Sequence, residues 1–215
     1  MHDNVLRITA VDPGINLGVA TIDFDLKTKI FKVRHAYTLD LTRFIPADEE
    51  QDKRSIVLQR LTTVKAFVKS YLETWQPHYG AHETAYVPHG GGGASVYSYA
   101  SLIENIISIK FGFIESSSDI KIFEINPTTV KMSTVGYKSS DKTLILKSLI
   151  ADPMVDLSEI DVNRLNQHNA DAIAIGITCI RENFNLRDIS EETVFSFKGK
   201  TNGGKKPSRP KRRKK

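Results

Sequence analysis

The 215-residue chain has one cysteine, one tryptophan and no apolar run that reaches the roughly 18 residues needed to cross a bilayer. A single cysteine excludes an internal disulfide. Cys179 lies in an apolar helical segment, which predicts a buried and unreactive thiol. The amino terminus lacks the basic region, apolar core and small-residue cleavage site of a secretory signal. We therefore expect neither a membrane segment nor a secretion signal.

Acidic residues are absent from the segment 198–215, which holds ten of the 30 lysines and arginines. The remaining chain has 25 acidic residues against 20 basic ones, so the net charge of +5 belongs to this tail. Its Gly, Pro, Ser and Lys content offers little apolar surface to bury. We predict that 198–215 is a disordered basic tail and that residues 1–197 form one domain. Phosphate binding through counterion release is the favoured role of the tail, and a nuclear-import signal or a solubilising tail are the alternatives.

Apolar patterning in residues 1–197 predicts alternating strands and helices. The predicted strands are 5–11, 17–24, 30–37, 79–83 and 120–125. The predicted helices are 56–75, 97–111, a short one after Asn126-Pro127, one capped by Ser139 or Ser140 that runs to about 151, and one at about 168–183. This order predicts an α/β fold with a mixed five-stranded sheet and helices on both faces.

Three acidic residues interrupt otherwise apolar stretches: Asp12 before a Pro-Gly turn, Glu83 at a strand end and Asp171 in a helix. Burying an acid without a partner costs several kcal/mol, so each residue needs a compensating group. Divalent metal is one such group, because Mg²⁺ prefers oxygen ligands and converging carboxylates can hold two ions about 3.5 to 4 Å apart. His168 lies three residues before Asp171 on the predicted helix and therefore points the same way, where its ring can bind metal or shuttle a proton.

Each of these residues also has a plainer interpretation. Asp12 can form an Asx turn over the Pro-Gly that follows it. Glu83 can pair with an arginine, and His168 can cap its helix or lie on the surface. Taken singly, the residues leave these alternatives open.

Together with their order along the chain, the motifs become specific. The sequence resembles the RuvC-type Holliday junction resolvases, which are nucleases of the ribonuclease H and integrase superfamily. The resemblance covers about residues 7–177. It rests on Ala10-Val-Asp12-Pro-Gly14 followed by Gly18, on Glu83 with Tyr86, on Pro127-Thr-Thr-Val-Lys131 leading to Val135-Gly136 and Ser140-Asp-Lys142, and on His168-Asn-Ala-Asp171-Ala-Ile-Ala-Ile175.

This resemblance implies a ribonuclease H-like fold and a catalytic tetrad of Asp12, Glu83, His168 and Asp171, the family having either His or Asp at the position of His168. It implies two Mg²⁺ ions per active site, for which Mn²⁺ substitutes. Lys131 and Lys142 are implied to act near the scissile phosphate, and Tyr86 to stack on bases, although a core or surface role for Tyr86 is equally open. The expected DNA contacts are Tyr86, Lys131, Lys138, Lys142, Lys205, Lys206, Arg209, Lys211, Arg212 and Arg213.

The activity implied is paired nicking of four-way DNA junctions, with other branched DNA as further substrates, to leave 5′-phosphate and 3′-hydroxyl ends. We expect a homodimer, because a junction near two-fold symmetry is best cut by two sites related by the same axis. We expect it to act in the cytoplasm on nucleoid or viral DNA, or in the nucleus of a eukaryotic host.

Several features depart from the family pattern. The four glycines at 90–93 favour a mobile loop that can close over DNA, with a plain linker as the alternative. The acidic loop 47–53 is an addition, and the basic tail favours a phage or viral source. The alternative functions are another ribonuclease H-like nuclease that acts on RNA–DNA hybrids or in transposition, a non-catalytic junction-binding protein, and a sugar- or acetate-kinase-like protein, for which the chain is short.

Overall fold

The computed structural model describes residues 4–44, 52–85, 96–117, 119–136 and 143–184. The strands are β1 (Val5–Asp12), β2 (Asn16–Asp25), β3 (Phe31–Asp40), β4 (Tyr79–Glu83), β5 (Lys121–Ile125) and β6 (Val155–Asp156). The helices are α1 (Lys53–Trp75), α2 (Val96–Ser116), α3 (Pro127–Thr134), α4 (Leu144–Ala151) and α5 (Gln167–Asn183). Two short 3₁₀ turns cover Thr42–Phe44 and Val162–Arg164.

The six strands form one mixed sheet in the order β5-β4-β1-β2-β3-β6. The first three strands form an antiparallel meander, while β4 lies parallel to both β1 and β5. The predicted α/β fold is therefore confirmed, but the expected count of five strands is wrong. The sixth strand, β6, pairs with β3 over only two residues, and so short a segment has no apolar alternation to reveal it.

Helices cover both faces of the sheet, as predicted. On one face α5 packs across β1, β2 and β4, and α3 and α4 flank it. On the other face α1 and α2 pack against each other and cover Val11, Leu17 and Val19. The core is thus divided into two apolar layers with the sheet between them.

Two local predictions had different outcomes. Cys179 is buried in α5, and burial raises the pKa of its thiol, which confirms the prediction of an inert cysteine. The predicted cap of α4 is wrong, because this helix begins at Leu144 and Thr143 occupies its N-cap. Ser139 and Ser140 lie outside the described residues. Within the described ranges, no helix combines the length and apolar character needed to cross a bilayer.

Candidate active site

Asp12 and Glu83 lie at the same edge of the sheet. Asp12 is the last residue of β1, and Glu83 is the last residue of β4. These strands are parallel neighbours whose pairing runs as far as Val11 and His82. The residues that follow this pair are the two acids, so the backbone alone places both at the carboxyl ends of adjacent central strands.

Helix α5 brings His168 and Asp171 to this edge. The helix begins with a capping box in which the Asn166 side chain accepts from the backbone of His168 and Asn169, while the Asn169 side chain accepts from the backbone N–H of Asn166. The Thr38 hydroxyl on β3 donates to the same Asn166 oxygen at 3.0 Å. The N-cap is therefore Asn166, and the alternative interpretation of His168 as the capping residue is wrong. Anchoring the helix start to β3 fixes where its first turn lies over the sheet.

Gly18 permits the close approach of that first turn. It is the register partner of Asp12 in the β1–β2 ladder. A Cβ placed on Gly18 would lie 2.5 Å from the carbonyl carbon of His168, and closer still to its oxygen. With no side chain there, His168 reaches Asp12, and its Nδ1 lies 3.4 Å from the Asp12 Oδ2. The Asp12 and His168 side chains are only 14% and 33% exposed.

The three carboxyl groups have raised pKa values. Burial is the main cause for Glu83, whose pKa rises to about 8, and the charges of Asp12 and Asp171 add to it. Burial followed by the charge of Asp12 raises the pKa of Asp171 to about 6. Burial also raises the pKa of Asp12, and the contact with His168 opposes this. Such mutual effects mean that the three acids share one poorly solvated region.

Lys131 on α3 faces the same region, because its charge lowers the pKa of both Glu83 and Asp171. Asn126 caps α3, with Pro127 in the first turn, as the sequence predicted. Within the described parts of the chain Glu83 forms no ion pair with an arginine, so that alternative is not supported. The other predicted DNA contacts lie outside the described residues: Tyr86, Lys138, Lys142, Lys205, Lys206, Arg209, Lys211, Arg212 and Arg213.

The composition of the cluster fits a hard divalent cation. It offers three carboxylates and an imidazole on partly buried residues, and burial together with the mutual charge of the acids raises the pKa values of the carboxyl groups. A divalent ion offsets such crowding better than one lysine does. Among the residues that the structure describes, however, no three His, Cys, Asp or Glu side chains are arranged to hold a metal ion as they stand. The donors are thus gathered in one region without being drawn to ligand distances.

Sequence reasoning missed one buried polar residue beside this site. Asn105 on α2 is 1% exposed, and its Nδ2 donates to the carbonyl of Gly14 at 3.2 Å. Its signal in the sequence was a polar pair, Glu104-Asn105, inside the apolar segment 102–109. The steric role of Gly18 was also missed, since a glycine in a motif does not say which element approaches it.

No protein-family model matches this sequence, and no curated protein matches it. Several solved structures are similar to this one. RuvC of Thermus thermophilus has a TM-score of 0.58 at 18% identity, with 80% of this chain and 92% of that chain covered. RuvC of T. thermophilus in complex with a Holliday junction substrate has a TM-score of 0.58 at 15% identity, again with 80% of this chain and 92% of that chain covered. The yeast mitochondrial Holliday junction resolvase Ydc2 has a TM-score of 0.58 at 14% identity, with 82% of this chain and 78% of that chain covered. The chain has the ribonuclease H-like fold of these resolvases. At such identities the likeness establishes the fold, as the sequence resemblance predicted.

Proposed function

We propose that this protein is a metal-dependent endonuclease that resolves four-way DNA junctions. The observation that supports this most directly is the meeting of Asp12, Glu83, His168 and Asp171 at one sheet edge in a fold shared with Holliday junction resolvases. A group of partly buried acids with no functional role would only lower the free energy of unfolding.

In this proposal the three carboxylates and the His168 ring hold two Mg²⁺ ions, or Mn²⁺ in their place. Metal bound there would lower the pKa of an attacking water and neutralise charge on the phosphodiester. Asp12 would be a central ligand, because its charge raises the pKa of both Glu83 and Asp171 and its carboxylate contacts His168. The contact with Asp12 orients the His168 ring, whose other nitrogen would bind one of the ions or, in place of that role, position the attacking water. Lys131 adds positive charge beside the same acids, where charge develops on the phosphate. The expected products are 5′-phosphate and 3′-hydroxyl ends.

Helix α2 supports the proposal of a homodimer. Three large apolar residues, Ile107, Phe111 and Ile114, are 47%, 52% and 58% exposed. They are spaced by four and three residues, so they form one stripe along the helix. We assign this stripe to contact with a second copy of the chain, because two active sites related by a two-fold axis match the symmetry of a four-way junction. The other candidate DNA contacts, including Tyr86 and the tail 198–215, stay predictions, and so do a phage or viral source and an intracellular site of action on the DNA of the host.

The test is cleavage of a synthetic immobile four-way junction in Mg²⁺, beside linear duplex, flap and RNA–DNA hybrid controls. The matched variant is Asp12→Asn, which keeps the size of the side chain and removes its charge. We expect the wild type to nick the junction in symmetric pairs, and Asp12→Asn to bind the junction without cutting it. Wild-type cleavage by Asp12→Asn would show that the site is wrongly assigned. Preferential cleavage of the hybrid would favour another ribonuclease H-like nuclease.

A further inference from the structure

The turn that follows Asp12 is held from outside the sheet. The β1–β2 ladder ends with the pair Asp12 and Gly18, so residues 13–17 lie beyond its last pair. On one side, the backbone N–H of Leu41 donates to the carbonyl of Ile15 at 2.9 Å. On the other side, Asn105 on α2 donates to the carbonyl of Gly14 at 3.2 Å. Two successive carbonyls of the turn thus accept hydrogen bonds, one from the residue that follows β3 and one from α2.

The bond from Asn105 acts close to Asp12. Only Pro13 separates Gly14 from Asp12, and a proline has a fixed φ and restricts the residue before it. Pro13 therefore leaves fewer backbone torsions through which the Gly14 carbonyl can move without moving the Asp12 backbone. Holding that carbonyl from α2 therefore limits how far the turn, and with it the backbone at Asp12, can move.

Stability does not explain an asparagine at this position. The Asn105 side chain is 1% exposed, and its neighbours Ile106 and Ile109 are core hydrophobics. Its Oδ1 is buried with no hydrogen-bond partner among the described residues. Leaving a buried acceptor unpaired disfavours folding, whereas an apolar side chain would meet no such penalty. Among the described residues, the one side-chain hydrogen bond of Asn105 is to the turn behind Asp12.

We propose that Asn105 is a positioning residue that holds Asp12 in its working orientation through the Gly14 carbonyl. This inference rests on the proposed nuclease function. It assigns to α2 a role at the active site in addition to the exposed stripe on its surface.

The test compares Asn105→Leu and Asn105→Ala with wild type and with Ser108→Ala, which removes a buried hydroxyl one turn further along α2. The readouts are kcat for junction cleavage, the Mg²⁺ concentration for half-maximal rate, junction affinity in Ca²⁺, and the thermal unfolding midpoint. For both Asn105 variants we expect kcat to fall by about 10- to 100-fold, in line with a displacement of up to about 1 Å, and the Mg²⁺ requirement to rise. Junction affinity should be unchanged. Asn105→Leu should unfold at the wild-type temperature or above, and Ser108→Ala should cleave like wild type.

Wild-type kcat and Mg²⁺ dependence in either folded variant would overturn the proposal. A fall in kcat that merely follows the loss of folded protein, with an unchanged Mg²⁺ requirement, would overturn it as well, because that is the result of a structural role. Asn105→Ala keeps the test decisive if the larger leucine disturbs the helix pair. Asp12→Asn distinguishes failure of the proposed nuclease site from failure of the proposed role of Asn105. Cleavage by Asp12→Asn would contradict the nuclease site itself.

Discussion

Replacing Gly18 by alanine should uncouple the two halves of the candidate site. Gly18 lies opposite Asp12 in the β1–β2 ladder, and the first turn of α5 passes directly over it. The added methyl would lie 2.5 Å from the carbonyl carbon of His168 and 3.2 Å from the backbone nitrogen of Asn169. Both obstacles are helix backbone, which cannot rotate away as the end of a flexible side chain can.

The size of the effect follows from these distances. A carbon atom in ordinary contact lies about 3.5 Å from its neighbour, so the start of α5 must retreat by about 1 Å. His168 would then leave the Asp12 carboxylate, from which it is now 3.4 Å away. A displacement of about 1 Å in a catalytic group lowers the rate by about 100-fold. Forcing a methyl group into this packed interface should also lower the free energy of unfolding by about 1 to 3 kcal/mol.

The assay is junction cleavage in Mg²⁺ under single-turnover conditions, together with thermal unfolding of the same preparations. Gly176→Ala is the matched control on the same helix, because a Cβ there would lie 2.5 Å from Ile22 Cδ1, the movable end of a side chain. We expect Gly176→Ala to retain most of the cleavage rate and Gly18→Ala to lose it while still folding. Equal rates in Gly18→Ala and wild type would refute the argument that this close approach sets the position of His168.

Two further predictions concern charge. In metal-free protein, stability should fall as the pH rises from about 4.5 to about 8, because the folded state keeps protons on Glu83 and Asp171 that the unfolded chain has already released. Thermal unfolding in EDTA at several pH values measures this stability. Added Mg²⁺ should restore it most strongly at the alkaline end. An unfolding temperature that does not change with pH would contradict the crowding of the acids. Removal of 198–215 should weaken junction binding and reduce its dependence on salt, as measured by affinity at several ionic strengths, and an unchanged salt slope would assign the tail to transport or solubility.

Much of the fold was predictable because its elements are long and strongly patterned. The meander of β1, β2 and β3 and the helices α1, α2 and α5 follow from apolar periodicity, and β4 has the predicted bounds of Tyr79–Glu83. The edge position of the two strand-end acids was also predictable, since parallel strands end on the same side. The pattern failed at β6 and at the start of α4, where the segments are short and tertiary contacts decide the structure.

Less of the candidate site could be predicted, because its geometry depends on how the layers approach each other. Sequence spacing put His168 and Asp171 on one helix face but could not show that Gly18 lets that face reach Asp12. The role of Asn105 could not be predicted for a related reason, since its partner is a backbone carbonyl 91 residues earlier in the chain. A carbonyl has no residue-specific signature, so only the fold reveals such a bond. The catalytic roles of the four residues stay predictions.

The packing of α5 limits how this protein can vary. From Ala172 to Ile180 every residue of the helix is buried, so the segment that completes the largest apolar layer is continuous with the turn that bears His168 and Asp171. A substitution deep in that layer that tilts or slides the whole helix would also displace the turn that bears His168 and Asp171. Adaptation to heat or cold by repacking this layer would therefore be constrained by the proposed nuclease chemistry. Helix α1, to which no residue of the candidate site belongs, is left with the greater freedom to change.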